Sequence, residues 1–356
     1  MIATDTIESN LQPVPGADIG LVEAIIGASR ECVLLIDRRT RVVAANVAAR
    51  TTFGREAADV LQSRLTELIR DPELHVAILK ALENGVASEL QVEIIGADTR
   101  NYDVYVSAAK IGGQLHAIAA FYDITRLEKL ERVRQEFLSN ISHELRTPLT
   151  SILAFVETLE DGAIDDTQNN RKFLGVIRRN AERMNALISD ILELSLIESG
   201  RVMIEKRYIH VSSIVEDIFA SLSSKARDRS VTLENLIPPE GTVFADSARI
   251  EQMLTNLIDN GIKFNRAGGS VTVALKPMDE SSILTVSDTG EGILPDHQTR
   301  IFERFYRADR SRAREVGGTG LGLSIVKHLA RLHGGEVRVS SRLTEGCVFS
   351  IELPNR

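Results

Sequence analysis

Apolar residues recur every three or four positions between residues 127 and 159, which is the spacing of one face of an α-helix. A second stretch steps alternately by four and three positions, a heptad seam with one polar member, Asn180. Residues 161–167, between the two stretches, read Asp-Gly-Ala-Ile-Asp-Asp-Thr and predict that one helix ends and another begins there. The pattern therefore predicts a helical hairpin, whose stripes consist of Leu127, Leu130, Val133, Phe137, Ile141, Leu145, Leu149, Ile152, Val156 and Leu159, then Phe173, Ile177, Met184, Leu187, Ile191 and Leu194.

Two helices with such long apolar stripes cannot cover each other completely. Pairing of two copies into a four-helix bundle would bury the remaining apolar surface, so the pattern favours a homodimer. No glycine or proline interrupts the chain between Asp123 and Pro148, and we expect a continuous helix to lead into the first stripe.

The pattern changes beyond residue 201, where strand-like and helical runs are interspersed. This arrangement predicts a sheet covered on one face by helices. The predicted strands are 202–209, 231–237, 271–276, 282–287, 335–340 and 347–353, and the predicted helices are 211–227, 247–263 and 319–333.

The front of the chain begins with a polar stretch, residues 1–17, that we expect to form a flexible lead-in. Two strand-like runs, then short helices, then a three-stranded meander follow, with strands predicted at 32–37, 41–46, 90–95, 101–106 and 116–122. The whole chain is thus predicted to be a multidomain α+β protein with segments 1–17, 18–124, 125–200 and 201–356.

His143 is the first residue with candidate chemistry. It follows Ile141 by two positions, so helix geometry turns it about 200° from that apolar residue and out of the core. A neutral imidazole is a good nucleophile near neutral pH, and the adjacent Glu144 can accept a proton from the ring or orient it. Thr147 lies one helical turn further along the same face. A lone surface histidine is usually not catalytic. Whether His143 is catalytic must therefore be judged from the sequence around it.

A second group of polar and glycine-rich motifs suits a nucleotide. Asn256, Asn260 and Lys263 share one face of the helix predicted at 247–263, where an amide oxygen can ligate Mg²⁺ and a lysine can meet phosphate. Asp288 ends a predicted strand and can accept a hydrogen bond from an exocyclic amine, while Gly290 and Gly292 allow close approach of a flat base. Residues 318–322, Gly-Thr-Gly-Leu-Gly, lead into a helix whose first amides can bind phosphate.

Residues 137–149, Phe-Leu-Ser-Asn-Ile-Ser-His-Glu-Leu-Arg-Thr-Pro-Leu, closely resemble the phosphoacceptor box of sensor histidine kinases. The later motifs, taken in order, resemble the Bergerat-type ATP-binding α/β sandwich, although Gly261 stands where that family usually has alanine. Residues 301–307 resemble the F-box that opens the mobile lid of these kinases, a lid that runs to about Gly318 and is rich in arginine. The order of strands at the front, with the exit Asp123-Ile-Thr125, resembles a PAS domain; whether this domain holds a ligand is open.

These resemblances imply a two-component sensor histidine kinase. MgATP would bind in segment 201–356, the γ-phosphoryl group would pass to His143, and an aspartate of a response regulator would then take it. The His-Glu-x-x-Thr pattern implies a phosphatase role for Thr147. Segment 123–200 looks most like the phosphate-regulon sensor kinases. The resemblance assigns nucleotide contacts to Asn256, Asn260 (also the Mg²⁺ ligand), Lys263, Asp288, Gly290, Gly292, Phe302, Phe305, Arg307, Gly318, Thr319, Gly320, Leu321 and Gly322.

Two other classes of protein fit the sequence less well. An ATPase of the chaperone or mismatch-repair type would need no exposed histidine and usually carries glutamate where Asn256 stands. A ligand-sensing scaffold with a decayed kinase would not be expected to keep these motifs intact.

The composition bears on the binding partners of the protein, on its location and on the state of its cysteines. The 356 residues carry a net charge of −8, which argues against nucleic-acid binding. No apolar run reaches the length of a membrane span and no leader is visible, so we expect a cytoplasmic protein, or one that lacks its anchor. Cys32 and Cys347 have no metal-ligand spacing and are expected to be reduced, buried thiols.

Overall fold

The computed structural model describes residues 19–53, 57–95, 99–308 and 318–356. The predicted lead-in, residues 1–17, lies outside the described residues. The chain divides into two compact units, one up to Gln135 and the other from Glu136 onward.

The first unit is built on a five-stranded antiparallel sheet in the order β2-β1-β5-β4-β3. One face is packed by short helices around a core that includes Leu34, Leu74 and Phe121. Its elements are α1 (Ile19–Ala28), β1 (Cys32–Ile36), β2 (Val42–Ala45), α2 (Val47–Phe53), α3 (Ala57–Val60), α4 (Leu65–Leu68), α5 (Pro72–Asn84), β3 (Ser88–Ile94), β4 (Arg100–Ile111) and β5 (Gln114–Asp123). The predicted strand order is confirmed.

Asn46 fixes the start of this unit. Its buried side-chain amide donates to the carbonyls of Ser29 and Glu31, and its oxygen accepts from the amides of Val33 and Ala49. Because buried polar groups are costly unless paired, this single residue holds the turn after α1 against the sheet.

The first hairpin helix, α6 (Thr125–Glu160), is continuous over 36 residues and passes through Pro148 without interruption. It begins where the Thr125 hydroxyl accepts from the Asn101 amide at 2.9 Å and the Asp123 carboxylate accepts from the Thr125 amide at 3.0 Å. None of the helices in the described ranges is long and apolar enough to cross a membrane.

The hairpin is completed in the second unit by a short 3₁₀ turn (Ala163–Asp165) and by α7 (Asn170–Glu198). The two helices meet through Phe155 and Phe173, whose ring centroids are 5.6 Å apart, and through the Asn180 amide, which donates to the Ser151 hydroxyl at 3.3 Å. Four residues of the α6 stripe stay exposed in the single chain, Leu127, Leu130, Val133 and Leu149. On α7 the exposed leucines lie beside the stripe, at Leu174, Leu192 and Leu196.

The rest of the second unit is a five-stranded sheet in the order β11-β12-β10-β9-β7, in which only the pairing of β7 with β9 is parallel, with a two-stranded sheet β6-β8 beside it. Helices pack on its apolar face, as predicted, around Leu257, Val286 and Ile325. The elements are β6 (Arg207–His210), α8 (Val211–Asp228), β7 (Thr232–Asn235), β8 (Thr242–Ala245), α9 (Ser247–Lys263), β9 (Ser270–Pro277), β10 (Ser281–Asp288), α10 (Pro295–Gln298), α11 (Gly322–Leu332), β11 (Glu336–Arg342) and β12 (Gly346–Pro354).

In the second unit two element boundaries differ from the sequence prediction by three residues or more, and one strand was not predicted. The strand predicted at 202–209 is regular only from Arg207, and the helix predicted at 319–333 begins at Gly322. The helix starts later than predicted because Gly320 has a φ of +74°, which a right-handed helix does not allow. Strand β8 was not predicted; its four residues are too few to show an alternating pattern.

Candidate functional site

His143 lies on α6 with its side chain exposed, as the helical spacing predicts. Its ring makes no hydrogen bond within the described part of the chain. Its backbone carbonyl accepts from the Thr147 hydroxyl at 3.2 Å, so Thr147 is on the same face, one turn later, and is also exposed. A nucleophile and a hydroxyl are thereby presented together to solvent.

Glu144 is half-buried. Its carboxylate pairs with two arginines and not with the adjacent His143. Arg183 of α7 donates to its carboxylate at 3.1 Å and Arg307 at 3.4 Å. Arg307 also donates to the Gly318 carbonyl. Burial lowers the pKa of Arg307, and Glu144 opposes that shift. In this arrangement two predicted site residues, Glu144 and Arg307, neutralise each other.

Helix α9 carries the predicted polar face. The Asn256 amide donates to the Gly322 carbonyl at 3.4 Å, which joins two of the predicted motifs. The side chain of Asn260 is half-buried and has no hydrogen-bond partner among the residues described. Lys263 forms an ion pair with Asp259, one turn earlier, and Asp259 also pairs with Lys225 of α8. The lysine is therefore positioned by an acid that the sequence analysis did not single out.

Asp288 ends β10, where one carboxylate oxygen accepts from the backbone amides of Gly290 at 2.8 Å and Cys347 at 3.3 Å. Burial raises its pKa. Cys347, opposite Asp288 on β12, is buried like Cys32, and burial raises the pKa of its thiol to about 11. Both of these backbone hydrogen bonds go to the same carboxylate oxygen of Asp288.

The two glycines after Asp288 are required by close packing. A Cβ on Gly290 would lie 2.5 Å from the Phe264 carbonyl oxygen, and one on Gly292, with its φ of +75°, would lie 2.1 Å from the Arg342 carbonyl oxygen. Any side chain at either position would force the backbone apart.

The glycine-rich segment 318–322 turns into α11. The Thr319 hydroxyl donates to the Asp190 carboxylate of α7 at 2.6 Å and accepts from the Leu321 amide at 3.2 Å. Leu321 is fully buried and anchors the turn. The first turn of α11 is therefore adjacent both to Asn256 on α9 and to the second hairpin helix.

The two phenylalanines of the F-box lie in packing contacts. Phe302 is buried and meets Phe349 edge-on, with centroids 6.4 Å apart. Phe305 has a φ of +59°, donates its amide to the Gly320 carbonyl at 2.9 Å, and places its ring 5.7 Å from Phe137 on α6. Of the lid arginines, 310, 312 and 314 lie outside the described residues.

Sequence reasoning missed the residues that join α7 to the nucleotide motifs. Arg249 of α9 pairs with Glu193, and Arg304 pairs with Glu198. The only signal was the spacing of acids along α7, where Asp190 and Glu193 are three positions apart on one face. Within the described part of the chain, no group of three or more histidine, cysteine or acidic side chains could hold a metal ion. An amide oxygen such as that of Asn260 is of the kind that ligates Mg²⁺.

Comparison with known families agrees with this geometry. Residues 245–356 match the family described as Histidine kinase-, DNA gyrase B-, and HSP90-like ATPase. Residues 133–200 match the His Kinase A (phospho-acceptor) domain, and residues 30–126 match a PAS domain. The chain thus has the PAS–HisKA–HATPase domain composition of sensor histidine kinases.

The curated relatives carry the same description. The chain is 35% identical over 239 residues to the sensor histidine kinase WalK of Bacillus subtilis (strain 168), covering 67% of this chain and 39% of the relative. It is 31% identical over 338 residues to the sensor protein kinase WalK of Staphylococcus aureus (strain Newman), covering 94% of this chain and 55% of the relative. The chain therefore spans only about half the length of the relatives it matches.

Among solved structures, histidine kinase ThkA in complex with the response regulator protein TrrA superposes with a TM-score of 0.52 at 23% identity, covering 94% of this chain and 98% of that chain. A likeness at this identity supports the fold alone.

Proposed function

We propose that this chain is a protein histidine kinase that phosphorylates His143 with the γ-phosphoryl group of ATP and then passes the group to an aspartate of a response regulator. One observation carries the proposal. An exposed histidine on a hairpin helix and the residues that we assign to ATP occur in one compact unit of the same chain.

The base end of ATP is assigned to Asp288. Its second carboxylate oxygen would accept from the exocyclic amine of adenine, and the close backbone packing at Gly290 and Gly292 would fix the segment that follows Asp288. The segment 318–322 and the start of α11 would receive the phosphates, because backbone amides at a helix N-terminus favour anions.

Asn260 is assigned to Mg²⁺, and the lack of a partner for its amide in the described structure supports this role. When bound, the ion would neutralise charge on the phosphates. Lys263, paired with Asp259, and Arg307, paired with Glu144, would add positive charge at the phosphates once they are released from these acids. Phe302 and Phe305 would act by anchoring the base of the lid.

In the transfer step the neutral ring of His143 attacks the γ-phosphorus, the bond to the bridging oxygen breaks, and ADP leaves. Glu144 would take or orient the ring proton once its arginine partners release it. This step requires motion, because Glu144 is paired with Arg183 and Arg307 in the arrangement described above.

The partners follow from the same architecture. The exposed apolar residues of α6 and α7 support pairing of two copies through the hairpin. A response regulator is the expected acceptor. The domain bounds 18–124, 125–200 and 201–356 stay predictions, as does the likeness to phosphate-regulon sensor kinases; the two relatives described above are both named WalK.

The proposal is tested by incubating the chain with Mg²⁺ and ATP labelled in the γ-phosphoryl group. We expect label on the protein that is lost in acid and survives base, as a phosphohistidine requires. Addition of a purified response regulator should move the label to the regulator. Label that resists acid would mean that another residue is phosphorylated.

Thr147 is proposed to serve the reverse reaction, in which the regulator loses its phosphoryl group. Its hydroxyl lies one turn from His143 on the exposed face and can hold a water. We expect Thr147→Ala to keep autophosphorylation and to slow dephosphorylation of the phosphorylated regulator about tenfold or more, in the range of single positioning groups. Thr150→Ala, exposed on the same helix, is the matched control. Equal decay rates with wild type and Thr147→Ala would remove the phosphatase role.

A further inference from the structure

The contact between Asp190 and Thr319 joins the hairpin to the proposed phosphate site. The Thr319 hydroxyl donates to the Asp190 carboxylate at 2.6 Å, across 129 positions of sequence. Thr319 stands between two glycines of positive φ at the entry to α11. A hydroxyl at this place would otherwise be free to donate to a phosphate oxygen.

Asp190 also lies within the field of Lys263. The lysine ammonium lowers the pKa of the Asp190 carboxyl, against the larger effect of burial, which raises it. A half-buried carboxylate that accepts from a hydroxyl and is attracted by an ammonium makes the same two interactions that a phosphate oxygen of a nucleotide would make.

Flanking contacts hold Asp190 in this position. Leu187 and Leu194 of α7 are buried in the same core as α9 and α11. Glu193 pairs with Arg249, and Glu198 pairs with Arg304. These contacts fix the part of α7 that carries Asp190, and so hold its carboxylate close to Thr319.

We propose that Asp190 occupies the place of a nucleotide phosphate oxygen, so that the hairpin and the polyphosphate of ATP compete for the Thr319 hydroxyl. This inference rests on the proposed nucleotide site. It makes Asp190 a residue that sets nucleotide affinity without touching the nucleotide. Because binding couplings are reciprocal, any movement of α7 away from Thr319 would raise that affinity.

The test measures binding of a non-hydrolysable ATP analogue with Mg²⁺, and separately of adenosine, by calorimetry on the whole chain. We expect Asp190→Asn and Asp190→Ala to bind the analogue about fivefold or more tightly than wild type. Adenosine affinity should not change, since adenosine has no phosphates to compete with the acid.

Glu193→Gln is the charge-matched control, since it removes one negative charge from the same face of α7 but no contact to Thr319. Tightening as large in this variant as in Asp190→Asn would reduce the effect to general electrostatics and overturn the proposal. An unchanged affinity in both Asp190 variants, or equal tightening toward adenosine, would also overturn it. If wild type and variants alike bind no adenine nucleotide, the proposed function itself fails; if wild type binds and only the Asp190 effect is missing, this inference alone fails.

Discussion

His143→Gln is expected to abolish acid-labile labelling from γ-labelled ATP. Glutamine has a comparable size and polarity but no ring nitrogen that can act as a nucleophile. Because the His143 ring is exposed and makes no hydrogen bond within the described structure, its replacement should leave the fold and nucleotide binding intact. The measurement is label incorporation at equal protein concentration, with nucleotide affinity determined on the same preparations.

His210→Gln provides the control, because His210 is also exposed but ends strand β6 and is not on a hairpin helix. We expect this variant to be labelled like wild type. Base-stable, acid-labile label that persists in His143→Gln would place the phosphoryl group on another histidine and would refute the assignment. Lost labelling together with lost nucleotide binding would point instead to a damaged fold.

Periodicity along the chain predicted the elements that are long and have one buried face. The stripe from Leu127 to Leu159 gave α6, and the alternating runs around Leu284 and Ile351 gave the paired strands β10 and β12. In each case one face of the element is buried. Its apolar residues therefore recur every 3.6 positions in the helix or every 2 positions in a strand, and this repeat is visible in the sequence.

The same reasoning predicted candidate site residues but not their partners in the structure. Lys263 and Arg307 were assigned to phosphate as cations, whereas the structure pairs them with Asp259 and Glu144. The spacing of residues predicts which side chains share a helix face. It does not predict which side chain from elsewhere in the chain contacts that face. The contact of Asp190 with Thr319 is of this kind, and no local pattern records it.

Gly261 illustrates the limit for packing. A glycine inside a helix weakens the helix relative to an alanine by about 0.5–1 kcal/mol. In the structure a Cβ at this position would lie 3.0 Å from a methyl group of Val271. The glycine therefore lets α9 approach β9 closely, which only the three-dimensional arrangement can reveal.

Asp288→Asn is expected to weaken ATP binding about tenfold or more and to reverse the preference for adenine over guanine. One oxygen of Asp288 already accepts from the amides of Gly290 and Cys347. An asparagine would keep its carbonyl oxygen there and turn its NH₂ group toward the base. That group would oppose the adenine amine, donor against donor, but would suit the carbonyl oxygen that guanine carries at the same position. Loss of a hydrogen bond to a charged acceptor costs about 1.5–3 kcal/mol, which is roughly ten- to 150-fold in affinity.

Asn260→Ala separates this effect from a general loss of binding. Its amide is assigned to Mg²⁺, so its removal should lower ATP affinity only when Mg²⁺ is present and leave the ratio of ATP to GTP binding unchanged. Calorimetric titrations of both variants and wild type with ATP and GTP, with and without Mg²⁺, provide the measurement, and an unchanged melting temperature checks the fold. If Asp288→Asn binds ATP and GTP in the wild-type ratio, Asp288 does not contact the base. The adenine end of the nucleotide must then lie elsewhere on the sheet, because the free oxygen of Asp288 is the feature on which its assignment depends.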